Sequence, residues 1–497
     1  MCYSIPSKND EKYIVFAEYS AERKKRMQII GRNAEKEILD QCLRSGKPEF
    51  LAVYGRRRVG KTFLIREYCK KHIVFSLSGA VKTSMKRQLK IFAEALEEYS
   101  GEKPGPAKDW FEAFRLLKLY IKRLNGKRKK AVFIDELPWL ATHKSGFLQA
   151  LDHFWNTFAS TREDMLLIIC GSATSWIIDN VINDRGGLHN RVTKHMRLEP
   201  FTLGECEALY RSNGIDFSRN QIAELYMIFG GIPYYMNYVE KGMSPEQNVD
   251  KMFFERNAPL RYEFDNLYAA LFKNPNRHLQ IIETLGKTQS GMTQKELWDD
   301  MSALPGGSLV KVLNELEQCD FIRRYRDFTK KNSGYYYQTT DFFTLFYLKH
   351  MKNRAGQDIN YWQNQSSSGG RHAWNGFAFE RVCMAHIKQI KQKLGIAGVS
   401  AEISAWRSKH SAPGVQIDLI INRNDGIINL FEMKYTGKPY KIDAAYDMTL
   451  MQKRETFRDE TATKKALHVT MATSNRLAPG SYMGTVQAQI TLDDLFT

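Results

Sequence analysis

The segment Gly55-Arg56-Arg57-Arg58-Val59-Gly60-Lys61-Thr62 completes the pattern GxxxxGK[ST], and the run Glu49-Phe50-Leu51-Ala52-Val53-Tyr54 before it has the length and bulk of a buried parallel strand. A loop of this kind wraps backbone N–H groups around phosphate at the positive end of a helix. The spacing predicts a nucleotide site, with Lys61 reaching the β- and γ-phosphates and the Thr62 hydroxyl on Mg²⁺. The helix opened by the loop is predicted over 63–71.

Downstream, Ala131-Val132-Phe133-Ile134-Asp135-Glu136 reads as a central strand ending in two carboxylates. Asp135 suits the Mg²⁺ shell and Glu136 the base that orients an attacking water, because phosphoryl transfer needs positioning and charge neutralisation more than covalent chemistry. Hydrolysis is expected, not binding alone. The strand Leu166-Leu167-Ile168-Ile169-Cys170 leads to Gly171-Ser172, where Ser172 is the predicted γ-phosphate sensor and Thr174 the second choice. In the polar stretch that follows, Arg191, with Arg185 as alternative, is placed to steady transition-state charge, in cis or across a subunit boundary of a homo-oligomer.

Working outward, strand-like runs at 50–55, 73–78, 132–136, 166–172 and 194–198 alternate with helical patterns, including amphipathic helices over 86–99 and 110–124. This rhythm predicts an α/β fold with a parallel sheet core. The 497 residues exceed one core, and the expected division is a leader at 1–28, an ATPase core at 29–200, a helical lid at 201–272, a winged helix at 273–352, a linker at 353–374 and a C-terminal α/β domain at 375–497. The leader ends in Arg23-Lys24-Lys25-Arg26, and the linker is read from Ser366-Ser367-Ser368-Gly369-Gly370.

The formal charge is +18, which favours a polyanionic partner such as nucleic acid. No apolar stretch reaches bilayer-spanning length, and seven scattered cysteines without CxxC spacing suit a reducing compartment; a cytoplasmic chain without structural zinc is expected. In the winged-helix region the third helix carries Lys311 and Asn314 but also Glu315, Glu317 and Asp320, a poor face for base reading. The hairpin offers Arg323, Arg324, Arg326, Lys330 and Lys331 as a stripe for phosphate backbone.

Farther on, Val415-Gln416-Ile417-Asp418-Leu419-Ile420-Ile421 and Ile428-Asn429-Leu430-Phe431-Glu432-Met433-Lys434 flank the turn Asn424-Asp425-Gly426, a strong hairpin signal. Residues two apart on a strand share a face, so Glu432 and Lys434 point together, and the hairpin can bring Asp418 beside them. Two carboxylates and a lysine so placed can hold Mg²⁺ and activate water against a phosphodiester.

Taken together, 55–62, Asp135, Glu136 and Ile30-Gly31-Arg32 with Glu35 resemble the archaeal-type ATPase family within the AAA+ and signal-transducing P-loop NTPases. The resemblance implies ATP and Mg²⁺ as ligands, with Gly31 and Arg32 near the adenine. It extends to Gly230-Gly231-Ile232-Pro233, similar to the GGxP element of the family's lid, where Pro233 serves nucleotide sensing, helix punctuation or both. Asn190 stands where family members often place a glycine before the finger arginine. The C-terminal hairpin, with Glu380 upstream, resembles the restriction-endonuclease-like PD-(D/E)xK domains that accompany such ATPases; Ile417 replaces the usual proline, and Gln452, Lys453 and Arg454 are expected near the site. The resemblance implies an ATP-driven switch coupled to a nuclease-like domain acting on nucleic acid in processing or defence. The alternative is a regulatory or signalling NTPase whose winged helix and C-terminal domain bind partners without cleavage.

Overall fold

The computed structural model describes residues 28–142, 144–183, 188, 190–272, 274–301, 306–329, 334–352, 354, 358–408 and 414–497. The leader up to 27, Arg185, Lys330 and Lys331 lie outside the described residues. The chain divides into two compact units, one through Glu199 with Ala208–Gly214, the other comprising Pro200–Glu207 and Ile215–Thr497.

In the first unit, five strands, β1 (Glu49–Tyr54), β2 (Ile73–Ser78), β3 (Lys130–Asp135), β4 (Met165–Cys170) and β5 (Lys194–Arg197), form a parallel sheet in the order β2-β3-β4-β1-β5. Every residue of β3 and β4 is buried, which explains the apolar runs Ala131–Ile134 and Met165–Cys170, since crossover helices cover both faces of such sheets. The helices Met85–Ser100, Trp110–Arg123 and Phe147–Thr157 supply an aromatic cluster. Trp110 meets Phe147 edge-on at 4.7 Å, and Phe114 stacks on Phe154 at 5.1 Å. The strand order matters for function. Because β3, β4 and β1 are neighbours and parallel, the segments leaving their C-terminal ends, Glu136, Ser172 and the phosphate loop, emerge along one edge.

The second unit opens with helices Arg219–Phe229, Pro233–Met236, Pro245–Val249 and Glu263–Leu271. There follow helix Pro275–Gly286, β6 (Met292–Thr293), helices Gln294–Asp300 and Gly306–Gln318, β7 (Ile322–Asp327) and β8 (Tyr335–Thr339). The remaining strands are β9 (Ala401–Arg407), β10 (Gln416–Arg423), β11 (Ile427–Lys434), β12 (Ala466–Thr473) and β13 (Val486–Thr491). All eight belong to one sheet, ordered β13-β12-β11-β10-β9-β7-β8-β6. The hairpin β7–β8 and the C-terminal strands are therefore continuous, joined by parallel pairing of Arg326 with Ser404 and Asp327 with Ala405.

Two expectations change here. The stretch read as a linker is helical: Tyr361–Asn364 and Gly369–Ala385 are helices, and the Ser368 side chain accepts from the Arg371 backbone N–H at 3.1 Å. Serine is a favoured N-cap, so the Ser-Gly cluster marks a helix start and not a flexible spacer. Trp362 and Arg371 are buried, with the guanidinium 3.9 Å from the indole centroid and paired to Glu224 at 3.5 Å and Glu246 at 3.4 Å. Second, the basic stripe of β7 is split by strand alternation. Arg324 and Arg326 lie exposed on one face, whereas Arg323 shares the other with Tyr325 and bonds Gln338 at 2.8 Å.

Candidate functional site

The phosphate loop leaves β1 through Gly55 (φ 134°), where an added Cβ would stand 2.3 Å from the Leu198 carbonyl oxygen, and enters the helix Lys61–Tyr68 through Gly60 (φ 93°). Arg58 also takes a left-handed φ of 74°. Arg56 and Val59 are buried, and Arg57 is half-buried. Lys61 is buried, its Nζ donating to the carbonyls of Gly55 and Arg56, each at 2.8 Å, so the ammonium already sits in the mouth of the loop. Gly31 and Arg32 follow each other at φ 60° and 58°; Arg32 donates to Glu199 O at 2.6 Å and to Val59 O at 3.0 Å and pairs with Glu35 at 3.3 Å. One guanidinium thereby ties the start of the domain to the loop's far side.

Thr62 Oγ1 donates to Asp135 Oδ2 at 2.8 Å, bringing together the two side chains assigned to Mg²⁺ from sequence. Asp135 Oδ1 accepts from the Glu136 backbone N–H at 2.9 Å, and Glu136 adopts φ 48° at the cap of a short helix. Ser172 Oγ donates to the Glu136 carboxylate, 3.0 Å from each oxygen. Thr174, the alternative sensor, is fully buried. Arg191 is exposed in the turn after Asn190, whose φ is 58°. Burial pushes the Cys170 thiol well up, and the nearby Asp135 adds to the shift, so this cysteine is an inert wall of the site. The set can bind a nucleoside triphosphate, present oxygen donors to a divalent cation and position water against the γ-phosphate. Pro233 occupies the first turn of Pro233–Met236 in the second unit.

The C-terminal cluster forms at the end of the β10–β11 hairpin. Leu419 pairs with Phe431, so one step outward Asp418 and Glu432 stand across from each other. Glu432 is gripped on every side: Lys434 Nζ at 3.1 Å, Lys453 Nζ at 2.7 Å and the Tyr446 hydroxyl at 2.6 Å. Burial works to raise its pKa, but Lys453 and Lys434 prevail and hold the carboxyl below its usual range. Glu380 is the converse case: burial first, then the charge of Asp418, pushes it up to about 7. Asp418 accepts from Gln416. Among the described residues no three His, Cys, Asp or Glu side chains close around one point. The cluster thus offers carboxylate pairs, which suit an ion that keeps several waters, as Mg²⁺ does.

Of the expected neighbours, Lys453 meets Glu432, whereas Arg454 pairs with Glu455 at 2.7 Å and Gln452 is exposed. Tyr446 escaped the sequence reading. It lies two turns before Lys453 on the helix Ala444–Thr461, so the helical period puts both on one face, a signal present in the sequence. Among the described residues, no helix is long and apolar enough to cross a membrane.

The chain is 24% identical over 423 residues to the uncharacterized protein MJECL04 of Methanocaldococcus jannaschii, covering 82% of this chain and 87% of that protein. Similar solved structures include the Walker-type ATPase PABY2304 of Pyrococcus abyssi (17% identity, 65% of this chain and 96% of that chain, TM-score 0.46) and the ORC2 protein of Aeropyrum pernix (12% identity, 69% and 96%, TM-score 0.41). Residues 30–239 match the family described as an ATPase domain predominantly from Archaea, a match that supports nucleotide binding by this stretch of the chain.

Proposed function

We propose that the protein is an ATP-hydrolysing switch whose second unit carries a winged helix and a PD-(D/E)xK nuclease-like site acting on nucleic acid. For the ATPase half, the loop amides and Lys61 receive the phosphates, and Thr62 and Asp135 would hold a Mg²⁺ that would supply charge neutralisation. Glu136 accepts a hydrogen bond from the attacking water. Ser172, now donating to Glu136, is within reach of the same space and reports whether a γ-phosphate is there.

For the second half, the observation that carries the reading is Asp418 facing Glu432 across one hairpin end, with Lys434 on Glu432 and Glu380 within electrostatic reach of them. Asp418 and Glu432 would hold a Mg²⁺, which when bound would supply an activated water, with Glu380 a further carboxylate nearby. Lys434, 3.1 Å from Glu432, places a positive charge where a phosphodiester gains negative charge during attack. Exchange of ATP for ADP in the first unit sets when substrate reaches this site.

The test is incubation of purified protein with ATP, Mg²⁺ and plasmid or RNA, reading phosphate release and strand breaks together. Wild type should do both. Asp418→Ala and Glu432→Ala should abolish breaks and spare phosphate release; breaks that persist in both variants would remove the nuclease reading, and phosphate release without any breaks in wild type would favour a signalling NTPase.

A further inference from the structure

The segment Gln289–Gly291, between helix Pro275–Gly286 and β6, is grasped from three directions. Arg381 Nη2 donates to Gln289 O at 2.5 Å from the helix that bears Glu380. Gln338, on β8, donates from Nε2 to the same carbonyl at 2.6 Å, and its Oε1 accepts from Arg323 Nε of β7. Arg407, at the end of β9, donates to Ser290 O and reaches Gly291 O at 3.4 Å, and the Tyr325 hydroxyl also donates to Ser290 O.

These side chains occupy the same face as the carboxylate cluster. In the ladder, Gln416 of β10 pairs with Arg407 of β9, and Gln416 bonds Asp418 two residues on. A small cleft of about 10 Å³ is lined by Tyr325, Tyr336, Arg407, Gln416 and Asp418 among others. Its two tyrosines stack at 5.6 Å with planes 19° apart, and Arg323 and Arg407 cover their rings at 5.1 Å and 4.8 Å. Arg381 is buried and Arg323 and Arg407 are half-buried; gathering like charges in this way is costly unless anions compensate, and Glu380, 3.9 Å from Arg381 Nη1, supplies one such anion. Here burial, and secondarily Arg381, brings Arg323 down to about 9, and the buried Arg381 Nε has no hydrogen-bond partner. Main-chain carbonyls take donors that suit a stronger acceptor.

We propose that Arg323, Arg381 and Arg407 form the seat for a nucleic-acid phosphate beside Asp418, so that the β7–β8 hairpin is part of the substrate site, with Tyr325 and Tyr336 holding the arginines in place. This rests on the nuclease-like reading of Asp418 and Glu432. The hairpin then contributes through its inward arginine, and the outward pair Arg324 and Arg326 is dispensable. Loss of one phosphate contact should weaken binding about tenfold and reduce the salt slope by about one.

The experiment measures fluorescence anisotropy of fluorescein-labelled single-stranded DNA, its duplex and RNA of the same sequence with full-length protein over a salt series. Arg323→Gln and Arg407→Gln should lose affinity and slope for at least one of these, while Arg324→Gln and Arg326→Gln stay within about twofold of wild type. Arg381→Lys, which keeps the charge in its buried place, should retain more affinity than Arg381→Gln at matched melting temperature. Unchanged binding in folded Arg323→Gln and Arg407→Gln overturns the seat. Binding needs no cleavage, so the two readings fail separately: arginine-dependent binding without strand breaks keeps the seat and removes the chemistry, whereas strand breaks with arginine-independent binding do the reverse.

Discussion

Ser172 donates its hydroxyl to the carboxylate of Glu136, 3.0 Å from either oxygen, and so joins the ends of two neighbouring parallel strands, β4 and β3, across the nucleotide edge. A carboxylate so held is fixed in direction. Ser172→Ala should lower kcat for ATP about tenfold or more while leaving nucleotide affinity within about threefold, because the contact concerns the attacking water more than the bound ground state. Steady-state phosphate release and nucleotide titration distinguish this from a general loss of folding.

Lys61 donates to the loop carbonyls of Gly55 and Arg56, 2.8 Å each. Lys61→Ala should weaken ATP binding on the order of 100-fold, from two charge-assisted contacts of about 1.5 kcal/mol each. Titration calorimetry checks this, and unchanged ATP affinity would contradict the assignment of the loop.

Glu380 is raised from 4.5 to about 7 by burial and by Asp418. A carboxyl with a folded pKa above its unfolded one favours the native state most below about 4.5, and this contribution fades as pH rises through about 7. Melting temperatures should therefore decline across that window in wild type relative to Glu380→Gln. The opposite dependence is expected for cation binding, which needs the ionised carboxylate and should strengthen from pH of about 6 to about 8.

Arg371 is buried between Glu224, Glu246 and Trp362. Arg371→Met strands two carboxylates and should cost about 3–5 kcal/mol, with partial recovery when Glu224→Gln and Glu246→Gln are added. Chemical denaturation of the three proteins measures the recovery.

Gly231 has no room for a side chain, since a Cβ would stand 1.9 Å from the Phe201 carbonyl oxygen. Gly231→Ala should destabilise by about 3 kcal/mol or more, whereas Gly46→Ala, with open space around it, should be nearly silent. Thermal melts of the pair separate close backbone approach from a generic glycine effect.

The convergence of the phosphate loop with Asp135 and Ser172 was legible because it is written locally: 55–62 and Ser172 follow strands and Asp135 ends one, and parallel strands deliver such tips to one edge. Sequence does not reveal which strands are neighbours, and so the meeting of Ser172 with Glu136 needed the order β3-β4-β1. In the second unit, Asp418, Glu432 and Lys434 could be paired through a turn of known type. Arg381 and Arg407 carried no such signal, because their relation to Arg323 depends on β7 pairing with a strand far along the chain. The serines at 366–368 misled for another reason: as composition they resemble a spacer, whereas Ser368 caps a helix whose buried side includes Arg371.

The pairing of Arg326 with Ser404 and Asp327 with Ala405 also bears on how this protein can be cut. A fragment beginning after the β7–β8 hairpin would bare the edge of β9, and one ending before β9 would bare the edge of β7. Unpaired edges of this sort recruit other strands. Expression of either piece alone should give aggregates or swapped dimers, which means that the C-terminal strands cannot be moved to another protein as a cassette and that an engineered insertion should avoid that seam.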